Sequence, residues 1–176
     1  MHIESLRVPL ERIAVIIGKA GATKAEIEEK TSTKLEIDSE TGEVSVGSKK
    51  DDAVAVHRSL NVVKAIARGF SPKNAFRVLK EGYYLEILDL KELVGKSEKT
   101  MISKRGRVIG RRGKAREEIE ETTGAVISVY GKTISIIGME EEIEKARSSI
   151  EMLLEGASHS TVYGMLHRED VGKFEL

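Results

Sequence analysis

Apolar and polar residues alternate with two different periods along this chain, and the changes of period divide it into short strands and helices. The first strand is predicted to stop at Pro9, which cannot donate to a ladder, and a glycine-containing turn at residues 40–42 separates two alternating runs, as in a β-hairpin. In chain order the pattern predicts a strand at 3–8, helices at about 10–17 and 22–30, strands at 34–38 and 43–46, and a helix at about 50–68.

The same order of elements is predicted a second time in the rest of the chain. A strand begins at Tyr83, a hairpin occupies residues 126–130 and 133–137 around Gly131, and a last helix runs over about 140–154. Two different stretches that predict the order strand, helix, helix, strand, strand, helix are better evidence for a repeated fold than either stretch alone.

A short motif marks the repeat most clearly. The run from Val15 to Gly21 returns 92 positions later as the run from Arg107 to Gly113, and each copy joins an apolar segment to a polar helix through the pattern G-x-x-G. Such a loop lets a backbone come close to another polymer, while the helix end beside it points N–H groups and positive dipole outward. That arrangement suits phosphate groups.

A chain of 176 residues with a repeat of this length is predicted to form two small domains. Between them, Ser71 and Pro72 have the sequence of a helix start and Gly82 that of a stop, which indicates a structured connection. The predicted division is a first domain at 1–69, a helical linker at 70–82, a second domain at 83–156, and a tail at 157–176 with a short helix and a loose end.

The amino-acid composition limits the kinds of chemistry and the cellular location that we expect for this chain. The chain has no cysteine, which excludes disulfides, thiolate metal ligands and cysteine nucleophiles. No apolar run approaches the roughly 20 residues that cross a bilayer, and the start of the chain lacks the pattern of a signal peptide. We therefore expect a soluble, cytoplasmic protein.

Charge is distributed unevenly around the second glycine loop. The chain has 29 basic and 29 acidic residues, yet residues 96–116 contain nine basic residues and only one acid, Glu98. The rest of the chain is acidic by the same margin. This asymmetry is typical of a polyanion site on an otherwise acidic body.

With its G-x-x-G loop between the first two helices, each repeat resembles the KH RNA-binding domain of the type common in eukaryotic and archaeal proteins. The resemblance implies an α+β fold of two type I KH domains, each a three-stranded antiparallel sheet packed by three helices, joined by the short helical connection. It covers nearly the whole chain. In such a domain about four nucleotides of a single strand lie in a groove, with their backbone against the glycine loop.

A narrower resemblance rests on residues 67–75, 109–114, 132–138 and 162–164. These stretches are similar to the Dim-two, or partner-of-Nob, family of small-subunit ribosome assembly, and the chain resembles an archaeal member. The resemblance implies binding near the 3′ end of small-subunit (pre-)rRNA and assistance to the endonuclease that matures that end, together with assembly factors. Eukaryotic relatives are expected to have lost the first glycine loop, whereas Gly18 and Gly21 are intact here.

By position in a KH domain, the second groove combines the glycine loop, its flanking cations and apolar residues of the neighbouring strand. The guanidinium groups suit phosphates because each can form paired, planar hydrogen bonds. Plain core packing is an equal alternative for Ile109 and Ile127. The candidate residues are Arg107, Val108, Ile109, Gly110, Arg111, Arg112, Gly113, Lys114, Arg116, Ile127 and Val129.

The first groove has the same backbone pattern and less charge, so we expect the second domain to provide most of the affinity. Whether the first domain binds RNA or mainly protein partners is left open, as is the preference for RNA over single-stranded DNA. Its candidate residues are Ile16, Ile17, Gly18, Lys19, Ala20 and Gly21, with Arg12 and Lys24 nearby.

An enzyme is not indicated, and no cofactor is expected. The four histidines have no metal-ligand spacing, and the glutamate runs at 117–121 and 140–144 are predicted to be solvated helix faces rather than a metal site. The remaining alternatives are a general KH regulator of messenger RNA and an interaction scaffold whose first domain docks a nuclease or assembly factor.

Overall fold

The computed structural model describes the backbone of residues 1–171 and the side chains of residues 1–168, and the chain divides into two compact units that begin at Met1 and Gly82. The first unit follows the predicted order. Its elements are β1 (His2–Arg7), α1 (Leu10–Ile17), α2 (Ala22–Thr31), β2 (Lys34–Ile37), β3 (Glu43–Ser48), α3 (Ala53–Ala67) and α4 (Pro72–Ala75).

The sheet of the first unit is antiparallel, in the order β1-β3-β2. Alternate residues of its strands point into a core of branched aliphatic side chains, which is why the period of two was visible in the sequence. The turn between β2 and β3 is held by Asp38, whose carboxylate accepts hydrogen bonds from the backbone of Thr41 and Glu40. These bonds, Thr41 first, lower the pKa of the Asp38 carboxyl.

The segment after α3 is held against the first unit. Ser71 caps α4 by accepting a hydrogen bond from the Asn74 N–H at 3.3 Å, and a single 3₁₀ turn over Phe76–Leu79 follows. The Lys30 ammonium lies 4.7 Å from the ring centroid of Phe76, and Arg58 donates a hydrogen bond to the carbonyl oxygen of Leu79.

The second unit repeats the plan with added helices. Its sheet is antiparallel, in the order β4-β6-β5, so that β4 and β5 form its two edges. Its elements are β4 (Tyr83–Asp89), α5 (Leu90–Val94), α6 (Glu98–Ile109), α7 (Lys114–Thr123), β5 (Val126–Tyr130), β6 (Thr133–Met139), α8 (Glu140–Glu155) and α9 (His159–Val171).

Helix α9 is longer than the short helix predicted for the tail. Val162 and Leu166, one helical turn apart, are buried in the core of the second unit. The His159 ring hydrogen-bonds the carbonyl oxygen of Arg107 at 2.8 Å, and His167 Nε2 lies 2.8 Å from a carboxylate oxygen of Glu118. Within the described residues, no helix is long and apolar enough to cross a membrane.

Candidate nucleic-acid interface

The two glycine loops have almost the same backbone conformation although their middle residues differ. In each loop the third position is a non-glycine residue in the left-handed region, with φ of 53° at Ala20 and 56° at Arg112. Flanking helices hold this strained geometry, which costs about 1 kcal/mol or more per residue. The glycines have φ of 73° at Gly18, 75° at Gly21, 75° at Gly110 and 75° at Gly113.

The first glycine of each loop is required by close packing. A Cβ at Gly110 would lie 2.6 Å from the Cβ and 2.7 Å from the backbone nitrogen of Ala115. A Cβ at Gly18 would lie 2.3 Å from Oγ1 and 2.7 Å from the backbone nitrogen of Thr23. The missing side chain therefore lets the loop fold onto the first turn of the next helix.

The second glycine faces open space. A Cβ at Gly21 or Gly113 would meet nothing within 4 Å. Neither α2 nor α7, which begin immediately after these glycines, has a side-chain hydrogen bond at its N-cap. The first N–H of each helix is bonded within the loop, from Ala22 to the Lys19 carbonyl oxygen and from Lys114 to that of Arg111. The positive dipole end of each helix has no side-chain cap and is available to a phosphate.

The residues before each loop separate into buried and accessible ones. Ile16 and Val108 are fully buried. They belong to the cores of the two units, so the prediction that they contact RNA is corrected. Their role is to pack the end of the helix before the loop against the core. Ile17 and Ile109, directly before the first glycines, are half-buried and remain available to an apolar ligand surface.

The strand side of each groove is fixed by a glutamate on the helix that follows the loop. Glu28 accepts a hydrogen bond from the Leu35 N–H, and Glu120 accepts one from the Ile127 N–H, both at 2.8 Å. The solvated-face prediction was therefore wrong for Glu120, which is half-buried. Ile127 itself is only 3% exposed and belongs to the core, which corrects its predicted contact role, whereas Val129 is half-buried.

Arg107 has a structural role that the sequence did not reveal. Its Nε donates a hydrogen bond to the carbonyl oxygen of Leu153 at 2.9 Å, and its Nη2 donates one to that of Ala157. Arg107 thus fastens α6 to the end of α8. With two of its three guanidinium nitrogens engaged, we expect this structural role to outweigh the RNA contact predicted from the sequence.

Arg12 has the corresponding role in the first unit. Its guanidinium donates hydrogen bonds to the carbonyl oxygens of Ile66 at 2.8 Å and Phe70 at 2.9 Å, at the end of α3. Arg12 is therefore held in place internally, which leaves Lys19 as the exposed cation of the first loop and Lys24 half-buried beyond it.

The second loop has more available charge. Arg111, Arg112 and Lys114 are exposed, and Arg116 is half-buried with no hydrogen-bond partner for its Nε. No ion pair among the described residues involves any of these four cations. No acid among the described residues therefore neutralises their charge through an ion pair, and this charge is concentrated where α7 begins.

One exposed glycine close to the second loop was not singled out from the sequence. Gly106 is exposed in the last turns of α6, and a Cβ there would meet nothing within 4 Å. A glycine inside a helix costs about 1 kcal/mol relative to alanine, and packing within the chain does not require this one. The signal was present, because the aligned residue of the first copy is the small and exposed Ala14.

The described residues contain no group of three or more histidine, aspartate or glutamate side chains that could hold a metal ion. Glu118, one of the acids considered for such a role, is paired with His167, and Glu118 and burial together raise the pKa of Tyr163, with burial the larger cause.

The fold and the glycine loops define a class: each unit is a KH domain of type I, and the chain is a tandem KH protein. A family model described as "Eukaryotic type KH-domain (KH-domain type I)", for the second KH domain of PNO1, matches residues 84–170, and the KH domain model matches residues 3–60. The chain belongs to the Dim2/PNO1 family and is an archaeal-type member.

Similar proteins and structures support this assignment. The chain is 49% identical to Dim2p from Pyrococcus horikoshii, with a TM-score of 0.89 and coverage of 96% of this chain and 99% of that one. A second structure, with the same identity and TM-score, is a complex of a/eIF2alpha, Dim2p and rRNA from the same organism and covers 96% of this chain and 93% of that one.

Curated relatives extend the comparison. A KH domain-containing protein from Methanocaldococcus jannaschii is 42% identical over 95% of this chain and 74% of its own length. The pre-rRNA-processing protein PNO1 of Phaeosphaeria nodorum is 27% identical over 78% of this chain, and the chain spans 53% of the length of that relative.

Proposed function

We propose that this chain binds single-stranded RNA mainly through its second unit, in the groove formed by α6, the loop at Gly110–Gly113, α7 and β5. The observation that carries the proposal is the group of unpaired cations, Arg111, Arg112 and Lys114, beside an uncapped helix N-terminus. Phosphates would lie against the loop and α7, and bases would face Ile109 and Val129 over the surface that Gly106 leaves open.

The first unit provides less affinity in this proposal. Its loop has the same backbone shape but exposes a single cation, Lys19, because Arg12 is held by two carbonyl oxygens. Shape alone aligns a phosphate, whereas most of the binding free energy of nucleic-acid complexes comes from neutralised phosphate charge.

The RNA proposed is precursor rRNA of the small subunit, near its 3′ end, with the chain acting as an adaptor that assists the endonuclease maturing that end. Support comes from the relatives: curated members are named pre-rRNA-processing proteins, and the P. horikoshii Dim2p structure is a complex with rRNA.

A binding experiment with matched variants tests both parts of the proposal. Affinity is measured for a labelled single-stranded RNA that matches the 3′ end of small-subunit rRNA and for a scrambled RNA of equal length. The variant Arg111→Asp, Arg112→Asp is compared with Lys19→Asp, Ala20→Asp in the first loop. Both pairs put an aspartate at the left-handed position, which aspartate tolerates, so both should fold.

We expect the second-loop pair to weaken binding by at least about a hundredfold, because two charge-assisted hydrogen bonds of roughly 1.5–3 kcal/mol each are lost, and the first-loop pair to weaken it less than about tenfold. Equal losses would contradict the assignment to the second unit. Equal affinity for both RNAs would contradict the rRNA role and leave RNA binding intact. Cleavage of the RNA without added nuclease would contradict the adaptor.

A further inference from the structure

A groove of about 810 Å³ lies in the second unit between the edge strand β4 and helix α8. Its lining combines apolar surface with acidic side chains. Tyr84 is 60% exposed on the strand, and Ile143 forms part of the groove on the helix. Glycine loop and groove belong to different edges of the sheet, since β5 forms one edge and β4 the other.

Strand β4 lacks the features that usually protect an edge. Its seven residues, YYLEILD, contain no proline, lysine or arginine, and five of them are apolar or aromatic. The corresponding strand β1 of the first unit, HIESLR, is mostly polar and ends in arginine just before Pro9. Its two acids are already engaged, Glu86 with Arg147 and Asp89 as the N-cap of α5. Edge strands without proline or basic residues pair more readily with another chain, so β4 has the character of a strand that can accept a partner.

The helix side of the groove carries a row of unpaired acids. Glu140, Glu144 and Glu151 lie along one face of α8, and no ion pair among the described residues involves them. The single base in the lining, Arg147, is already bound to Glu86 at 2.9 Å. The charge left uncompensated in the groove is therefore negative.

We propose that this groove binds an extended, lysine- or arginine-rich segment of a protein partner, which adds to the sheet as a strand beside β4. Main-chain hydrogen bonds to the edge would provide affinity. Basic side chains on the face toward α8 would pair with Glu144 and Glu151. Apolar side chains on the opposite face would lie beside Ile87, which is 42% exposed.

The negative charge of the groove favours a basic protein segment over RNA and over a second copy of this chain. Phosphates are repelled by the acids, so the groove is unsuited to RNA. A second copy of this chain would bring β4 and α8 against the same acidic surface, with like charges opposed. The site leaves the glycine loop free, and it does not depend on that loop binding RNA.

The test uses the 176-residue chain and a fluorescent ten-residue peptide of alternating lysine and valine, with an alternating glutamate and valine peptide as the control for charge. Fluorescence anisotropy measures the affinity of the peptide for the wild type and for two double variants. One double variant combines Glu144→Lys with Glu151→Lys, and the other combines Glu117→Lys with Glu121→Lys. The last pair reverses exposed acids on α7 and serves as the matched control variant. Circular dichroism and thermal unfolding verify that both variants fold.

We expect the basic peptide to bind the wild type and to bind the α8 double variant, Glu144→Lys with Glu151→Lys, about tenfold more weakly. Its affinity for the α7 double variant should stay within about twofold of wild type. Hydrogen exchange of β4 amides should slow when the peptide is added, while exchange of β5 stays unchanged. Binding without slower β4 exchange, equal losses in both variants, or stronger binding of the acidic peptide would overturn the proposal. So would a concentration-dependent dimer of the free protein that the α8 substitutions abolish.

Discussion

The two glycines of the second loop should respond very differently to the same added methyl group. Gly110 combines a φ of 75° with a ψ of 176°, a region that is essentially restricted to glycine, and a Cβ there would lie 2.6 Å from the Cβ of Ala115. Gly113 has a φ of 75° and a ψ of 9°, in the left-handed helical region, and its Cβ would meet nothing within 4 Å.

The expected losses of unfolding free energy follow from these geometries. Gly110→Ala adds backbone strain of about 1–3 kcal/mol to overpacking of about 1–3 kcal/mol, which gives a loss of roughly 4 kcal/mol. Gly113→Ala carries only the left-handed cost of about 1–2 kcal/mol. Because the added methyl at Gly113 would point into open space on the side proposed to bind RNA, Gly113→Ala should weaken RNA binding while it leaves most of the stability in place.

Urea unfolding followed by circular dichroism measures the first difference, and RNA affinity of the folded variants measures the second. The first unit provides an internal replicate, because a Cβ at Gly18 would meet the Thr23 backbone and one at Gly21 would meet nothing. Gly18→Ala should therefore exceed Gly21→Ala in cost. Similar losses at Gly110 and Gly113, or a larger loss at Gly113, would refute the packing argument.

The other predictions concern charge, packing and pH. The logarithm of RNA affinity should fall with the logarithm of salt concentration with a slope of about −0.7 per phosphate, and Arg111→Asp, Arg112→Asp should make the slope shallower by roughly 1.4. Gly106→Ala should stabilise α6 by about 1 kcal/mol in urea unfolding yet weaken RNA binding; a gain in both would contradict a groove role for Gly106. Arg107→Met should cost about 2–3 kcal/mol of stability, because two carbonyl oxygens lose their donor, without changing the RNA affinity of the folded protein. The lowered pKa of Asp38 means that its stabilising effect is present above the ordinary carboxyl pKa and is lost as pH falls through the lower folded value. Asp38→Asn should remove this contribution to the pH dependence of the unfolding free energy, measured by urea unfolding at several acidic pH values. An unchanged pH dependence would contradict a stabilising role for the Asp38 carboxylate.

Helices and strands were predictable from the sequence wherever their apolar residues recur over enough turns or alternations to define a period. The helices at 10–17 and 140–154 and the hairpin at 126–130 and 133–137 were predicted to within two residues of the observed bounds. The helix α5 was not predicted, because five residues hold too little of a helical period. Helix α6 has only two buried residues, Met101 and Val108, two turns apart on one face, so its apolar pattern is too sparse to define its bounds.

The site was predictable in its backbone and less so in its side chains. G-x-x-G spacing identifies the loop, because the constraint on φ acts locally. The sequence could not show that Arg107 reaches carbonyl oxygens 46 and 50 residues away, since the arginine sits inside a basic run that looks uniform. Nor could the sequence show which of Val108 and Ile109 faces the core, because that depends on the rotation of α6 about its own axis.

The left-handed position at Ala20 and Arg112 separates the shape of a loop from its charge. One loop presents a methyl group and the other a guanidinium on backbones that differ by only 3° in φ at that residue. The electrostatics of either unit can therefore change one side chain at a time while the backbone of its loop is kept. Exchanging Lys19 and Ala20 for arginines would recruit the first unit as a second RNA clamp on the same chain.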